Sequence, residues 1–510
     1  MTPRSPHPLV QHALLERRAV LRGLAAAALA GGGAALAGCS EDAAEAGRSS
    51  NTAPSTTGTS LPPIPHTDDL PYWMQGGFEP VHDQIDAVDL EVTGALPPEL
   101  DGVYVRNGSN PANGTSPHWF LGDGMVHGVA LGGGSALWYR NRYVDTPMHR
   151  SGKGVFAGGA PGGANNQSNV SVFHHGGRLL SSGEIGHPYE LSVDDLSTVG
   201  PHDYDGRLTT AMTAHPKLDP DTGELHFFGY GFVPPYLTYH VADASGALRL
   251  SQEVQVGGPT MMHDFAVTDR DVVFWELPVV FDLDAALQAV RGVEGEFGFR
   301  WDPGYGARIG VMPLGGPTSE IRWVEIDPCF AFHGVNAHRD GERIVLDLCV
   351  MPQAFGDADG DSLPHRWTID TSGEQLRFHD EQLTDRPMDL PAIDRRHTGR
   401  RNRHAWYLLT ESLPGFPVEF AGLGRRDDRD GSFDEYLPGP GERVNEGVVV
   451  PGGDGEGEGW LLTYAWDRAR GASDLLVLDA LDLAAGPVAR GHLPGRVPYG
   501  FHGTWVPSAV

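Results

Sequence analysis

Apolar and polar residues alternate along most of the chain with a period of two, the signature of half-buried β-strands. Runs of this kind cover 102–107, 126–131, 136–144, 170–174, 177–182, 225–230, 236–241 and 271–280. They continue at 321–325, 343–351, 366–370, 403–409, 447–451, 459–466 and 474–479. Between them lie short turns rich in Gly, Asp and Asn. A 3.6-residue period is scarce; the clearest helical stretch is 282–290. Strand, turn, strand repeated over more than 400 residues, with no linker-like gap and no clean repeat length, predicts an irregular β-propeller.

Four histidines stand in matching places in this pattern. His215, His263, His333 and His502 each follow a short apolar or Gly-rich lead and are flanked by strand-like sequence. The stretch 328–350 is the clearest case: His333 sits in an apolar run, before a Gly-Val-Asn turn and the alternating strand that reaches Val350. His215 and His263 are 48 residues apart, one blade at the ~40–50 residues a four-stranded blade uses. His263 to His333 is 70, a blade with an insertion, and His333 to His502 is 169, room for three blades. Inner strands of a propeller face a common axis, so one imidazole per blade converges there. Any one of these residues alone would read as a satisfied core histidine; the ordered set predicts one metal site. Of the 23 histidines, His127, His187, His226, His338, His397 and His404 read as turn, surface or structural residues.

Composition narrows the classes. Gly 69 and Pro 40 with 20% charged residues suit a turn-rich all-β chain. A net charge of -30, with no Lys/Arg run in the body, argues against nucleic acid and anionic substrates. Three cysteines are no disulfide framework. Cys329 and Cys349 fall in neighbouring strands and read as buried small apolar residues. The Asp-Gly turns at Asp101, Asp123 and Asp359 lack the spaced ladder of a calcium loop.

The N-terminal region has a different character. Residues 1–40 carry Arg17-Arg18, a weakly apolar run from Gly23 to Ala37, and Leu36-Ala37-Gly38-Cys39. This predicts a twin-arginine lipoprotein signal with Cys39 as the lipidated residue, and a protein exported to the outer face of the cytoplasmic membrane. Residues 41–70 read as a flexible linker, and 71–510 as the folded domain. No other run reaches the ~20 apolar residues a membrane span needs.

Several stretches, in order, resemble the carotenoid cleavage oxygenases. These are Leu96-Pro97-Pro98-Glu99-Leu100-Asp101-Gly102 with Tyr104-Val105-Arg106-Asn107-Gly108; Gly122-Asp123-Gly124-Met125-Val126-His127; Tyr139-Arg140-Asn141-Arg142-Tyr143-Val144; the four histidine segments; and Gly500-Phe501-His502-Gly503. The resemblance runs from about Asp86 to Val506. It implies a seven-bladed β-propeller under a dome of loops and short helices, with one Fe(2+) on the axis held by His215, His263, His333 and His502. It further implies carboxylates behind the ligands at Glu184, with Glu190 as the alternative, at Asp389 and at Glu446. Asp389 departs from the family pattern, where Glu is usual; the shorter side chain demands a bridging water or a shifted backbone.

The implied activity is cleavage of a C=C bond of a carotenoid or apocarotenoid with O2, giving aldehyde or ketone products. Trp119, Phe120, Phe265, Phe332 and Phe501 are expected to line an apolar substrate tunnel, with no side-chain acid or base required. Segments 231–236 and 282–290 are expected at its membrane-facing mouth. Related lignostilbene dioxygenases carry a phenolate-binding Lys where this chain aligns Met148, with Lys153 reachable only by a shifted alignment. That favours a carotenoid over a phenolic stilbene. A non-catalytic carotenoid-binding lipoprotein is the alternative of another class. No nucleic acid and no obligate protein partner is expected.

Overall fold

In the computed structural model, residues 64–152, 162–355 and 360–508 are described. The expected signal and most of the expected linker, Cys39 among them, lie outside these residues, as does Lys153. The alternating runs form seven sheets of four or more strands, arranged as the blades of a propeller. The innermost strands neighbour one another around the axis.

Blade 1 runs from Asp86–Val88 at its outer edge through Ser135–Tyr143, Gly124–Gly132 and Gly102–Ser109 to Gly503–Pro507 on the axis. Blades 2 to 6 each follow chain order outward. Their inner strands are Ser171–His175, Lys217–Leu218, Phe265–Val267, Gly334–Asp340 and Met388–Ala392. Blade 7 pairs Glu442–Val444 and Val448–Pro451 with Gly459–Asp467, then Ala472–Asp479, Pro487–His492 and Val92–Gly94. The ring therefore closes twice. An early strand completes the rim of blade 7 and a late one completes the hub of blade 1, which ties the two ends of the chain into neighbouring blades.

The expected strand 271–280 divides into Asp271–Glu276 and Val279–Phe281. Pro278 has no N–H to give the ladder, so the chain leaves blade 4 there. It returns at Ala307–Pro313 after an excursion containing the hairpin Val279–Phe281/Phe299–Trp301 and the helix Leu283–Val290. Asp282 caps that helix by accepting the Ala285 N–H at 2.7 Å. The excursion joins short turns at Tyr72–Met74 and Trp119–Leu121 in a dome over one face. Cores lie between blades, the largest uniting blades 3, 4 and 5 around Phe228, Phe274, Trp275 and Trp367. Cys349 is buried and Cys329 half-buried; both are free thiols.

Candidate metal centre

Each of the four histidines lies one or two residues ahead of an inner strand: His215 in blade 3, His263 in blade 4, His333 in blade 5 and His502 in blade 1. Inner strands run in the same sense, so the four rings meet at one end of the axis. Five of the six ring pairs have centroids 4.5 to 5.1 Å apart. The Nε2 atoms of His215 and His263 are 3.0 Å apart, and those of His263 and His333 are 3.3 Å apart.

The three remaining blades supply carboxylates. Glu184, just beyond the second strand of blade 2, touches Nδ1 of His263. Asp389, in the inner strand of blade 6, accepts from Nδ1 of His333 at 2.7 Å. Glu446, ahead of Val448–Pro451 in blade 7, accepts from Nδ1 of His502 at 2.7 Å and from the Gly503 N–H at 2.9 Å. A proton held on Nδ1 leaves a bare lone pair on Nε2. Three such lone pairs point at the same space, and Nε2 of His502 is buried with no partner among the described residues. A cation would satisfy that arrangement, and imidazole donors suit Fe, Zn or Cu. Three carboxylates behind neutral imidazoles offset the charge of a divalent ion. His215 takes no carboxylate among the described residues; its backbone N–H donates to Thr213 Oγ1 at 3.1 Å.

Burial holds the His215 and His333 rings below the usual histidine range, in the neutral form that ligates. Burial acts the same way on His263, but the Glu184 carboxylate outweighs it and pushes that ring up. Burial would raise Asp389, yet the His333 ring and the Ser362 hydroxyl hold it below the ordinary carboxylate value.

The Asp389 departure is met by the backbone, with the contact to His333 direct. The ladder shifts register between Asp389 and Ala392, and Leu390 has φ +47°, a left-handed conformation rare for a branched residue. This bulge carries the shorter side chain to the ring. Asp389 also accepts from the Leu390 N–H and from Ser362 Oγ, both at 2.8 Å.

Glu190, the alternative to Glu184, is away from the centre and pairs with Arg178 at 3.2 Å. His127 and His226 bind tyrosine hydroxyls inside blades. Sequence reasoning missed a second tier of groups. Tyr230 donates to Glu184 Oε2 at 2.6 Å. The Lys217 ammonium meets Asp264 Oδ1 at 2.8 Å, and Asp264 Oδ2 accepts from the Gly334 N–H at 2.8 Å. Lys217, Asp264 and Gly334 each follow one of these histidines by one or two residues, so this bond set ties three histidine-bearing strands together. Their position beside the histidines was the available signal.

The centre lies between two cavities. On the dome side a cavity of ≈ 480 Å³ is lined by Trp119, Phe120, Phe297, Phe332, Phe355 and Phe501, with Asp361 and Glu411 also in its lining and no Lys or Arg among the described residues. The helix Leu283–Val290 contributes Ala286, and the 231–236 turn contributes Phe232. On the blade side an axial channel of ≈ 200 Å³ is lined by Lys217, Asp264, Asn336 and Arg395. Phe265 is a correction. It faces this channel and packs on Phe228 and Phe274, away from the dome. Phe332 and Phe501, just ahead of His333 and His502, line the dome cavity, whereas Phe265 follows His263 and descends with its strand. Met148 is buried in a short helix and does not line the dome cavity.

A seven-bladed propeller with four axial imidazoles beneath an aromatic cavity defines a metal-dependent oxygenase architecture. The family model for retinal pigment epithelial membrane protein matches residues 78–507, and the chain belongs to that family, the carotenoid cleavage oxygenases. A carotenoid cleavage oxygenase of Mycobacterium tuberculosis is 37% identical over 496 residues, covering 86% of this chain and 97% of that one. A carotenoid 9,10(9',10')-cleavage dioxygenase of Arabidopsis thaliana is 33% identical, covering 86% and 91%. Among solved structures, a lignostilbene dioxygenase of Pseudomonas brassicacearum superposes with a TM-score of 0.77 at 29% identity, covering 88% and 100%. The cobalt-substituted apocarotenoid oxygenase of Synechocystis shares the fold, with a TM-score of 0.74 at 24% identity over 86% and 98%.

Proposed function

We propose that this oxygenase uses Fe(2+), one per chain, to split a C=C bond of a carotenoid or apocarotenoid with O2. Both oxygen atoms end in the two carbonyl fragments, as aldehydes or ketones. Iron bound by His215, His263, His333 and His502 would supply the one-electron chemistry that allows O2 to react with a polyene. The chain's own residues bind, orient and exclude water. Glu184, Asp389 and Glu446 hold the Nδ1 protons, which keeps the Nε2 lone pairs directed inward. Phe332 stands edge-on to His263, centroids 5.1 Å apart, and with Phe501 walls the centre from solvent. No general acid or base is needed, because no proton moves in the net reaction.

The observation that carries the reading is the four-histidine centre opening onto an aromatic cavity whose described lining has no cation. No Lys or Arg stands in that lining to pair a phenolate, which favours a carotenoid or apocarotenoid over a hydroxystilbene. The similarity to a lignostilbene dioxygenase keeps the stilbene as the competing substrate. Metal analysis and O2 uptake on purified protein, with an apocarotenal and with a hydroxystilbene, separate the two. Iron near one per chain and aldehydes from the apocarotenal are expected. Zinc in place of iron, or no O2 uptake with either compound, would overturn the oxygenase reading.

We also propose that the chain is exported and held at the membrane by a lipid on Cys39, which would bring the protein to a membrane-dissolved substrate. Detergent-phase partitioning that a Cys39→Ser variant retains would refute this.

A further inference from the structure

One of the polar residues lining the dome cavity is ringed by aromatic side chains. His118 precedes the turn Trp119–Leu121 and lines the cavity. Its ring stacks on Phe297 (centroids 4.9 Å, 22° between planes) and meets Phe120 edge-on at 4.8 Å. Trp73 lies 5.6 Å away on another side, and its indole N–H donates to the Ser116 carbonyl at 2.9 Å, fixing the approach to the turn. Phe355 is 6.1 Å away.

The ring's two nitrogens have different fates. Nδ1 accepts the Phe120 backbone N–H at 3.2 Å, capping the turn. Burial holds the ring's pKa down to about 3, so it is neutral at any physiological pH. A neutral imidazole accepting at Nδ1 carries its proton on Nε2. That N–H has no acceptor among the described residues, and the residue lines the cavity. The adjacent Trp119, in the same lining, has a buried indole N–H without a partner. A half-buried donor with no protein partner, on a residue that lines the cavity, is available to a ligand acceptor. His118 is two aromatic rings from the metal centre, by centroid steps of 4.8, 6.1 and 5.1 Å through Phe120 and Phe332 to His263.

We propose that His118 is a specificity-determining residue whose Nε2–H donates to an oxygen substituent on the polyene, so that the enzyme selects oxygenated over purely hydrocarbon carotenoids and sets which double bond reaches the metal. This rests on the oxygenase reading above. A hydrocarbon end group in the same place leaves the donor unpaired, and a site built to hydrogen-bond a substrate rejects the analogue lacking the partner.

The test compares β-carotene with its dihydroxy derivative zeaxanthin, matched in polyene length, on the iron-loaded full chain. The readout is the ratio of kcat/KM, which is independent of the fraction of active protein. Wild type is expected to favour zeaxanthin by roughly 10- to 100-fold. Two variants remove the donor differently. His118→Asn keeps a capping acceptor for the Phe120 N–H but falls short of the cavity; His118→Phe keeps the aromatic cage. Both should bring the ratio near unity and change the distribution of cleaved bonds. His118→Gln, which retains a donor with reach, should restore part of the preference. A wild-type ratio near one, or a ratio unchanged in both His118→Asn and His118→Phe, overturns the assignment and leaves the oxygenase reading intact. No turnover of either polyene by iron-loaded wild type overturns that reading and this inference together.

Discussion

Asp389 offers the sharpest test of how the centre is held. It receives three donors: the His333 ring at 2.7 Å, and the Leu390 N–H and Ser362 hydroxyl at 2.8 Å. Replacing it with Ala removes a charge-assisted hydrogen bond worth about 1.5–3 kcal/mol, which is roughly a 10- to 150-fold change in an equilibrium. Loss of a carboxylate behind a metal-bound histidine costs about 10- to 100-fold in metal affinity, so two independent routes agree. Asp389→Ala also strands the Leu390 N–H, so stability falls with affinity. Asp389→Asn separates the two. Its amide oxygen still accepts from His333 and Leu390, and Ser362 can turn to accept from the amide nitrogen. It loses the charge alone, and the expected effect is roughly 3- to 10-fold in affinity with little change in Tm. Asp389→Glu adds one bond of about 1.5 Å to a side chain that the bulge has already brought into contact, so it should bind iron more weakly than wild type. Anaerobic titration of Fe(2+) against a chromophoric chelator reads all three, with thermal melts alongside. Wild-type affinity in a folded Asp389→Ala protein would refute the positioning role.

Two further outcomes follow from buried charges elsewhere. Lys217→Met leaves the Asp264 carboxylate, 1% exposed, without its ammonium partner, which costs about 3–5 kcal/mol; Tm should fall, and Lys217→Met/Asp264→Asn should recover most of the loss, whereas a single variant melting like wild type would show the tie is idle. His226 and His240 are buried with pKa values pushed down to about 4 by burial. Above pH 6.5 both are neutral folded or unfolded, and between 6.5 and about 4 only the unfolded chain takes up protons, so stability falls as pH falls through that window, by up to about 3 kcal/mol per histidine. Denaturant melts from pH 7.5 to 5 should show the loss, and a His226→Gln variant with an equally steep profile would remove that residue from the account.

What could be read in the sequence follows from where each element lies. Inner and middle strands, such as Leu225–Tyr230 and Arg343–Val350, are buried on both sides or alternate cleanly, so their pattern is strong. Outer strands such as Arg377–Gln382 are mostly exposed; nothing constrains their composition, and they left no period to detect. The four histidine segments could be read because each combines a ligand with the start of a strand. Glu184, Asp389 and Glu446 come from the other three blades, and no spacing rule on a single chain links them to their rings. Ser362 and Tyr230 act through those carboxylates, one step further from any linear pattern. The Phe265 expectation failed because a strand changes the cavity it faces as it passes the metal.

The hub strand Gly503–Pro507 closes the propeller, and His502 stands immediately before it. Closure of the ring and delivery of the last imidazole are therefore a single event. A nascent chain halted anywhere before that segment has, at most, three of the four ligands and an unsealed blade 1. If the four histidines hold the metal, its retention would report on completed synthesis: an unfinished or C-terminally clipped molecule would hold it less firmly than an intact one, and the ion would be committed only once the propeller around it is shut.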